Sequence, residues 1–296
     1  MKRISILLAS AALAACGQSQ VAAEKAIADA EQTPAEIDAL AIVLDALPDE
    51  MKARYAYRHP KETLEFVGIE PGMTVVEGLP GSGWYTQILL PYLGSDGHLI
   101  GADYSLEMYP NFSFVNEEFM VKQRQFTTNF PADAREWGGD NGARISAFHM
   151  GSMPAELAGT ADVVFFPRVL HNLARFEAQD GYLTAALADA YAVLKPGGTL
   201  GIVQHEARDD MSDEFASGGR GYLKKSFVIE VVEAAGFEFV AESDVNANPN
   251  DQPGEDDIVW RLPPTLATSR NDPELRATLE AVGESNRMTL KFRKPD

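Results

Sequence analysis

The sequence predicts an α/β protein built on a mostly parallel sheet with helices on both faces. Three observations carry that expectation. Short β-branched runs alternate with longer amphipathic ones from about residue 60 to the C-terminus. The first such run, "TVVEGL", passes through the turn "PGSG" into a helix-like segment, "WYTQILLPYL". A "KPGG" turn then separates the clearest amphipathic helix from the strand-like "TLGIVQHE". With 296 residues, 45% of them hydrophobic, the chain can bury a substantial core as one large α/β domain or two small ones. It carries no internal repeat.

The elements follow in order. "TPAEIDALAIVLDAL" has apolar residues at helical spacing, with Thr33 as N-cap candidate and Pro34 at the first helical position. "HPKETLEFVGIEPGM" is a proline-initiated helix ending in a turn at Pro71-Gly72. "TVVEGL", "HLIGADY", "ARISAFHM", "ADVVFF", "KPGGTLGIVQHE", "EFVAES" and "RMTLKFRKP" are strands. Between them, "WYTQILLPYL", residues 116–128, "EAQDGYLTAALADAYAVL" and "KSFVIEVVEAAGF" are helices, the last capped by Gly236. Two segments break the alternation, 207–225 and the acidic 244–285. Long loops in compact domains are often lids or binding loops, and the first follows the carboxyl end of a strand, which makes it a lid candidate.

The net charge is −19. That disfavours nucleic-acid partners, whose binders concentrate Lys and Arg. The N-terminus is distinct. Lys2 and Arg3 precede an apolar stretch, Ile4 to Ala12, that is too short to span a bilayer. Leu13-Ala14-Ala15-Cys16 resembles a bacterial lipoprotein signal, which implies cleavage before Cys16 and lipidation of its thiol. Cys16 is the chain's one cysteine, so no intrachain disulfide can form. Gly17, rather than Asp, after the Cys points by the same resemblance to the outer membrane. An ordinary secretory signal and a chance apolar start are the alternatives. The expected organisation is therefore a signal peptide at 1–15, a small, polar tether at 16–33, and an α/β domain at 34–296.

The glycine turn suggests a nucleotide-like ligand. Gly81 and Gly83 permit positive φ and close backbone approach, with Ser82 between them. Asp103 lies 20 positions after Gly83 at the end of the next strand, the spacing at which an acid grips ribose hydroxyls in dinucleotide folds. NAD fits less well, because Thr86 stands where a third small residue is needed and Trp84-Tyr85 crowd the helix start. A P-loop is excluded by the absence of Gly-Lys-Ser/Thr.

Taken together and in order, "VVEGLPGSG", "GADYS", "ADVVFFPRVLHNL" and "AVLKPGGTLGIV" resemble the motifs of class I S-adenosylmethionine-dependent methyltransferases. "PGSGWYT", "HNL", "EAAGF" and "LKFRKP" resemble a bacterial group of predicted methyltransferases within that superfamily, over about residues 53 to 296. The resemblance implies a Rossmann-like methyltransferase fold: a mostly parallel seven-stranded sheet with an antiparallel last strand, containing the order 3-2-1-4-5. It implies S-adenosyl-L-methionine as cofactor. Glu77 would order the loop near the methionine ammonium. Gly81, Ser82 and Gly83 would line the cofactor, and Asp103 would bind the ribose. Tyr104 would cover adenine, or else be a strand-end aromatic. The pattern has departures. Leu79 stands at the first glycine position and Pro80 follows it. No acid follows the third strand, where Ser152 or the backbone near Met153 is the substitute candidate.

On the substrate side, Arg168, His171 and Asn172 follow the fourth strand at the carboxyl edge of the sheet. His171 is a general-base candidate because its ordinary pKa lies near neutrality, and Arg168 is a candidate to orient an anionic substrate. A purely structural role for His171 and Asn172 is the alternative. His149, His171 and His205 all follow strands, which raises the question of a metal. In the implied strand order the third and fourth strands lie about 14 Å apart, against metal–nitrogen bonds of about 2 Å, so no metal site is expected. The Asn/Asp-Pro-Pro-aromatic motif of amino-group nucleic-acid methyltransferases is absent, leaving a small molecule as the expected acceptor. Two functions compete: a methyltransferase, and an exported binding module of the same fold without catalysis. Export favours the second, because S-adenosylmethionine is made in the cytoplasm. Inefficient export would leave active protein inside.

Overall fold

The computed structural model describes residues 38–296. The expectations for residues 1–33, including Cys16, and for Thr33 and Pro34 fall outside the described residues. Among the described residues, eight strands form one sheet: β1 (Thr74–Gly78), β2 (His98–Asp103), β3 (Arg144–His149), β4 (Ala161–Pro167), β5 (Leu194–Ala207), β6 (Leu223–Lys224), β7 (Glu238–Ser243) and β8 (Arg287–Arg293). Their order is β3-β2-β1-β4-β5-β8-β7, with β6 beside β5. Strands β1 to β5 pair in parallel, and β8 runs antiparallel to both β5 and β7. The implied 3-2-1-4-5 order and the antiparallel last strand are both realised. The expected count of seven strands is corrected to eight, because the two-residue β6 adds to the far end of β5 at Glu206 and Ala207.

The central strands are apolar on both faces because helices cover both faces. Val76, Ile100 and Val164 point into one layer, with Leu183, Ala186 and Leu187 of helix Tyr182–Val193 and Val228 and Val232 of helix Lys225–Ala234. Val75, Leu99, Val163 and Phe165 point into the other. There they meet Leu64 and Val67 of helix Pro60–Val67, Ile88 and Leu89 of helix Thr86–Leu93, and Phe130 of helix Phe126–Gly138. The period-2 alternation of each strand sorts its side chains between these two cores. Residues Leu40–Asp296 make up one compact unit.

Two helices, Glu117–Arg124 and Phe126–Gly138, replace the single one expected over 116–128. Asn116 caps the first by accepting from Phe119 N at 2.9 Å. The second continues through Pro131, which sequence rules treat as a breaker. Burial of Phe130 and Ala134 against the sheet holds it together.

The two segments that broke the alternation are both folded. In 207–225, Met211, Phe215 and Tyr222 pack with Val259 into a small apolar cluster of their own. Gly218 sits so close to His171 that a Cβ there would lie 2.0 Å from His171 O. This segment is packed against the turn that carries His171. In 244–285, a buried ion pair joins Arg261 to Asp251 at 2.7 Å, and helix Pro273–Val282 follows. Among the described residues, no helix is long and apolar enough to cross a membrane.

Candidate functional site

The sheet reverses its winding between β1 and β4, and at such a switch point the carboxyl ends of the strands open a crevice. A cavity of about 1140 Å³ lies there. Its floor is Leu79 and Gly81 after β1, Asp103 and Tyr104 after β2, and Asn172 and Arg175 after β4. Phe126, Phe130, Asp133 and Trp137 of helix Phe126–Gly138 form one wall, and Tyr109, Phe112, Phe114 and Phe119 form another. Ile258, Trp260, Thr265 and Ala267, from the acidic segment, complete it. Its volume lies just above the usual range of about 300–1,000 Å³ for small-molecule sites.

The turn after β1 keeps a G-x-G-x-G backbone without its first glycine. Leu79, Gly81 and Gly83 have φ of 51°, 59° and 76°, so alternate residues are all left-handed. Leu79 holds this strained state, costing about 1–3 kcal/mol, while its N–H donates to Ala102 O at 2.7 Å and its side chain packs on the core. Gly81 is open: a Cβ there would have only Leu79 O within 4 Å. Gly83 differs. A Cβ there would lie 2.2 Å from the Trp137 ring, so what demands glycine at this position is the indole that walls the cavity. Gly83→Ala is expected to displace Trp137 and cost about 2 kcal/mol, as overpacking and left-handed strain combine. Urea denaturation measures the loss, and an unchanged midpoint would contradict the packing.

Glu77 is buried beneath this turn. Thr86 Oγ1 donates to its Oε2 at 2.7 Å, and the Thr86 N–H also bonds it, so Glu77 caps helix Thr86–Leu93 from below. Burial pushes its carboxyl up to about 7 against those bonds. It is tied to the first residue of the helix beneath the turn and does not line the cavity. Ser82 is exposed at the tip of the turn and does not line it either.

Asp103 is 5% exposed yet faces the cavity. Its Oδ1 accepts from Tyr104 N at 2.8 Å and from Tyr109 OH at 2.6 Å. Burial raises its pKa, opposed by these two bonds. Tyr104 is buried, and its OH donates to Val169 O at 2.9 Å, tying β2 to the segment after β4. Ser152 lies elsewhere, in a second pocket of about 260 Å³ with Ser105 and Met150, and Met153 packs against the core.

After β4 the candidates part company. Asn172 lines the cavity and His171 does not. The His171 ring is buried, 5.8 Å from the Trp260 ring and 5.5 Å from that of His205. Gln204 Nε2 donates to the Gly221 and His205 carbonyls, which turns Gln204 Oε1 toward His171 Nδ1 at 3.4 Å. This arrangement favours a proton on Nδ1 and a lone pair on Nε2. Burial drives the His171 pKa down to about 4, with Arg168 and Arg175 adding to the effect. His171 is thus neutral at pH 7, behind Trp260. Arg168 is half-buried with φ 64°, its N–H donating to Val203 O at 2.6 Å. His171 and His205 approach one another as strand order allows, while His149 bonds Tyr104 O from β3. Among the described residues, no three His, Cys, Asp or Glu side chains converge in a metal-binding group.

Sequence reasoning missed the aromatic walls and Trp260. Phe119 and Phe126 lie in a segment expected to be helical and the others outside the expected elements, and proximity to the strand ends was not available as a signal.

No protein-family model and no curated protein sequence matches the chain. Solved structures do. The [4+2]-cyclase SpnF superposes with a TM-score of 0.51 at 18% identity, over 80% of each chain. A geranyl diphosphate methyltransferase in complex with SAM gives 0.49 at 16% identity, over 89% of this chain and 93% of that one. A SAM-dependent methyltransferase from Aquifex aeolicus gives 0.45 at 19% identity, over 68% and 93%. The fold is the Rossmann-like fold of class I methyltransferases.

Proposed function

We propose that the protein transfers a methyl group from S-adenosyl-L-methionine to a small-molecule acceptor in the cavity at the sheet's carboxyl edge. One observation carries this reading: the bare backbone of Gly81 and the carboxylate of Asp103 face the same cavity, at the spacing that cofactor recognition requires. The residues fit the cofactor. Asp103 can accept from the two ribose hydroxyls, and Leu79 and Gly81 offer backbone for close approach. The aromatic walls suit a flat base and an apolar or aromatic acceptor. When bound, the cofactor supplies an electrophilic methyl group on a sulfonium. The chain's own part is alignment and water exclusion, with Asn172 and Arg175 available to orient the acceptor. His171 packs behind Trp260 and faces Gln204 at the β5 end. The titration of the full chain with S-adenosylmethionine by calorimetry tests the reading. Micromolar binding supports it, and no heat at millimolar ligand sinks it.

A second reading, a binding module without catalysis, draws on two observations. The general-base candidate His171 lies outside the cavity. The same fold also serves a [4+2]-cyclase among the solved structures, so the fold alone does not select methyl transfer.

For location we propose a lipid-anchored protein on the periplasmic side, held through Cys16, with the membrane contacted by that anchor alone. Cys16→Ala is expected to abolish metabolic labelling by radioactive palmitate. Persistent labelling of the variant would reject the anchor.

A further inference from the structure

The net charge of −19 hides a concentration of cations inside the protein. Arg54, Arg58 and Arg287 surround one carboxylate, Glu284. Arg54 Nε donates to Glu284 Oε1 at 2.8 Å, Arg58 Nε donates to Oε2 at 3.2 Å, and Arg287 Nη1 lies 3.2 Å from Oε2. Arg58 and Arg287 are 2% and 3% exposed, so both guanidiniums are withdrawn from bulk solvent. The Arg58 guanidinium also lies 4.4 Å over the Trp84 ring. Arg168 joins them from the end of β4. It follows Pro167, which pairs with Val203 of β5, and two residues on His205 pairs with Arg287. Its guanidinium has no hydrogen-bond or ion-pair partner among the described residues. Its charge is near enough to hold the Arg58 pKa down, after burial itself, to about 9.

Three guanidiniums therefore share one carboxylate, and the fourth, Arg168, has none of its own. Their donors are also incompletely used: Arg58 Nη1, Arg287 Nε and the neighbouring Trp84 Nε1 are buried without an acceptor. Buried cations without counter-charge and buried donors without acceptors are both strongly unfavourable. An anion seated here would supply both the missing counter-charge and the missing acceptors. Forked N–H groups of this kind match the oxygens of a carboxylate or phosphate. Arg54, 24% exposed, brings the cluster to solvent. On its inner side His205 and His171 lead to Trp260, which lines the cavity.

We propose that this arginine cluster binds an oxyanion, carboxylate or phosphate, carried by the methyl acceptor, an assignment that rests on the methyl-transfer reading above. The methyl acceptor would then be an anionic small molecule with an apolar or aromatic body. The cofactor's own carboxylate is the weaker candidate, because its α-ammonium would add another cation beside the arginines.

The test is calorimetric titration of the full chain, at constant ionic strength, with phenyl phosphate, with phenol as its neutral counterpart, and with S-adenosylhomocysteine. Arg168→Asn is the variant. It unpairs no protein group, and Asn tolerates left-handed backbone. Phenyl phosphate is expected to bind at least ~10-fold tighter than phenol, and Arg168→Asn to erase that advantage while leaving S-adenosylhomocysteine within about 2-fold. Equal binding of phenyl phosphate and phenol by the unaltered chain would overturn the proposal. So would a loss of S-adenosylhomocysteine affinity in the variant as large as the loss for phenyl phosphate. Discrimination for phenyl phosphate without any S-adenosylhomocysteine binding would support the oxyanion site and overturn the methyl-transfer reading instead.

Discussion

Asp103→Ala is expected to weaken S-adenosylmethionine binding by roughly 100-fold. The carboxylate sits at the end of β2, faces the cavity, and keeps both of its protein hydrogen bonds on Oδ1. Two bonds from ribose hydroxyls to a charged acceptor contribute about 3 kcal/mol between them, which is about two decades of affinity. Alanine also leaves Tyr104 N–H and Tyr109 OH without their acceptor, so some stability is lost as well. Asp103→Asn separates the two effects. Its amide oxygen still accepts from both groups, so the fold is kept while the charge is lost. Calorimetry on both variants makes the comparison. If Asp103→Asn and the unaltered chain bind the cofactor equally well, the ribose assignment is wrong.

The second large effect is a change in pH dependence on replacing Glu77. Its folded pKa is about 7, raised by burial from an ordinary 4.5. Between pH 4.5 and 7 the folded protein therefore holds a proton that the unfolded chain has released. Stability from this group is complete below pH 4.5 and falls as pH rises through the window, by about 3 kcal/mol in all. His171 acts in the opposite sense. Its pKa falls from 6.5 to about 4, so the unfolded chain binds the extra proton between those values and stability rises with pH by a similar amount. His98, lowered to about 4 by burial and by Arg144, adds to that rise. In the unaltered protein the Glu77 slope offsets only one of these two rising slopes near pH 5 to 6. Glu77→Gln keeps an acceptor for Thr86 Oγ1 but removes the falling branch. Relative to the unaltered chain, the variant is expected to gain about 3 kcal/mol between pH 4.5 and 7. Urea denaturation across that range measures it, and parallel profiles for the two proteins would show that Glu77 is ionised throughout.

The fold was legible because its determinants are local. The apolar runs at 75–76, 99–100 and 163–166 mark strands covered on both faces, and Gly81 and Asp103 mark where two of them end. Leu79 occupies a glycine position of the motif, and its left-handed backbone is what that position imposes. The site was legible only in part. A sequence places His171 and Asn172 in the same turn but cannot say which faces outward, since that depends on how Gln204 and Gly218 pack against the turn. Gly83 carried the right residue for a reason the motif does not contain, the indole of Trp137 more than fifty positions away. The arginine cluster joins residues 54 and 58 to 284 and 287 through strand pairing at the far end of the chain. No spacing rule reaches that distance.

The central claim is that the cavity between Leu79, Gly81 and Asp103 holds the cofactor. A crystal structure of the full chain with S-adenosylhomocysteine tests it most directly. The expected result places both ribose hydroxyls within hydrogen-bond distance of the Asp103 carboxylate, with the ligand's backbone contacts on Leu79 and Gly81. A ligand seated elsewhere, with Asp103 still bonded only to Tyr104 and Tyr109, would contradict the account.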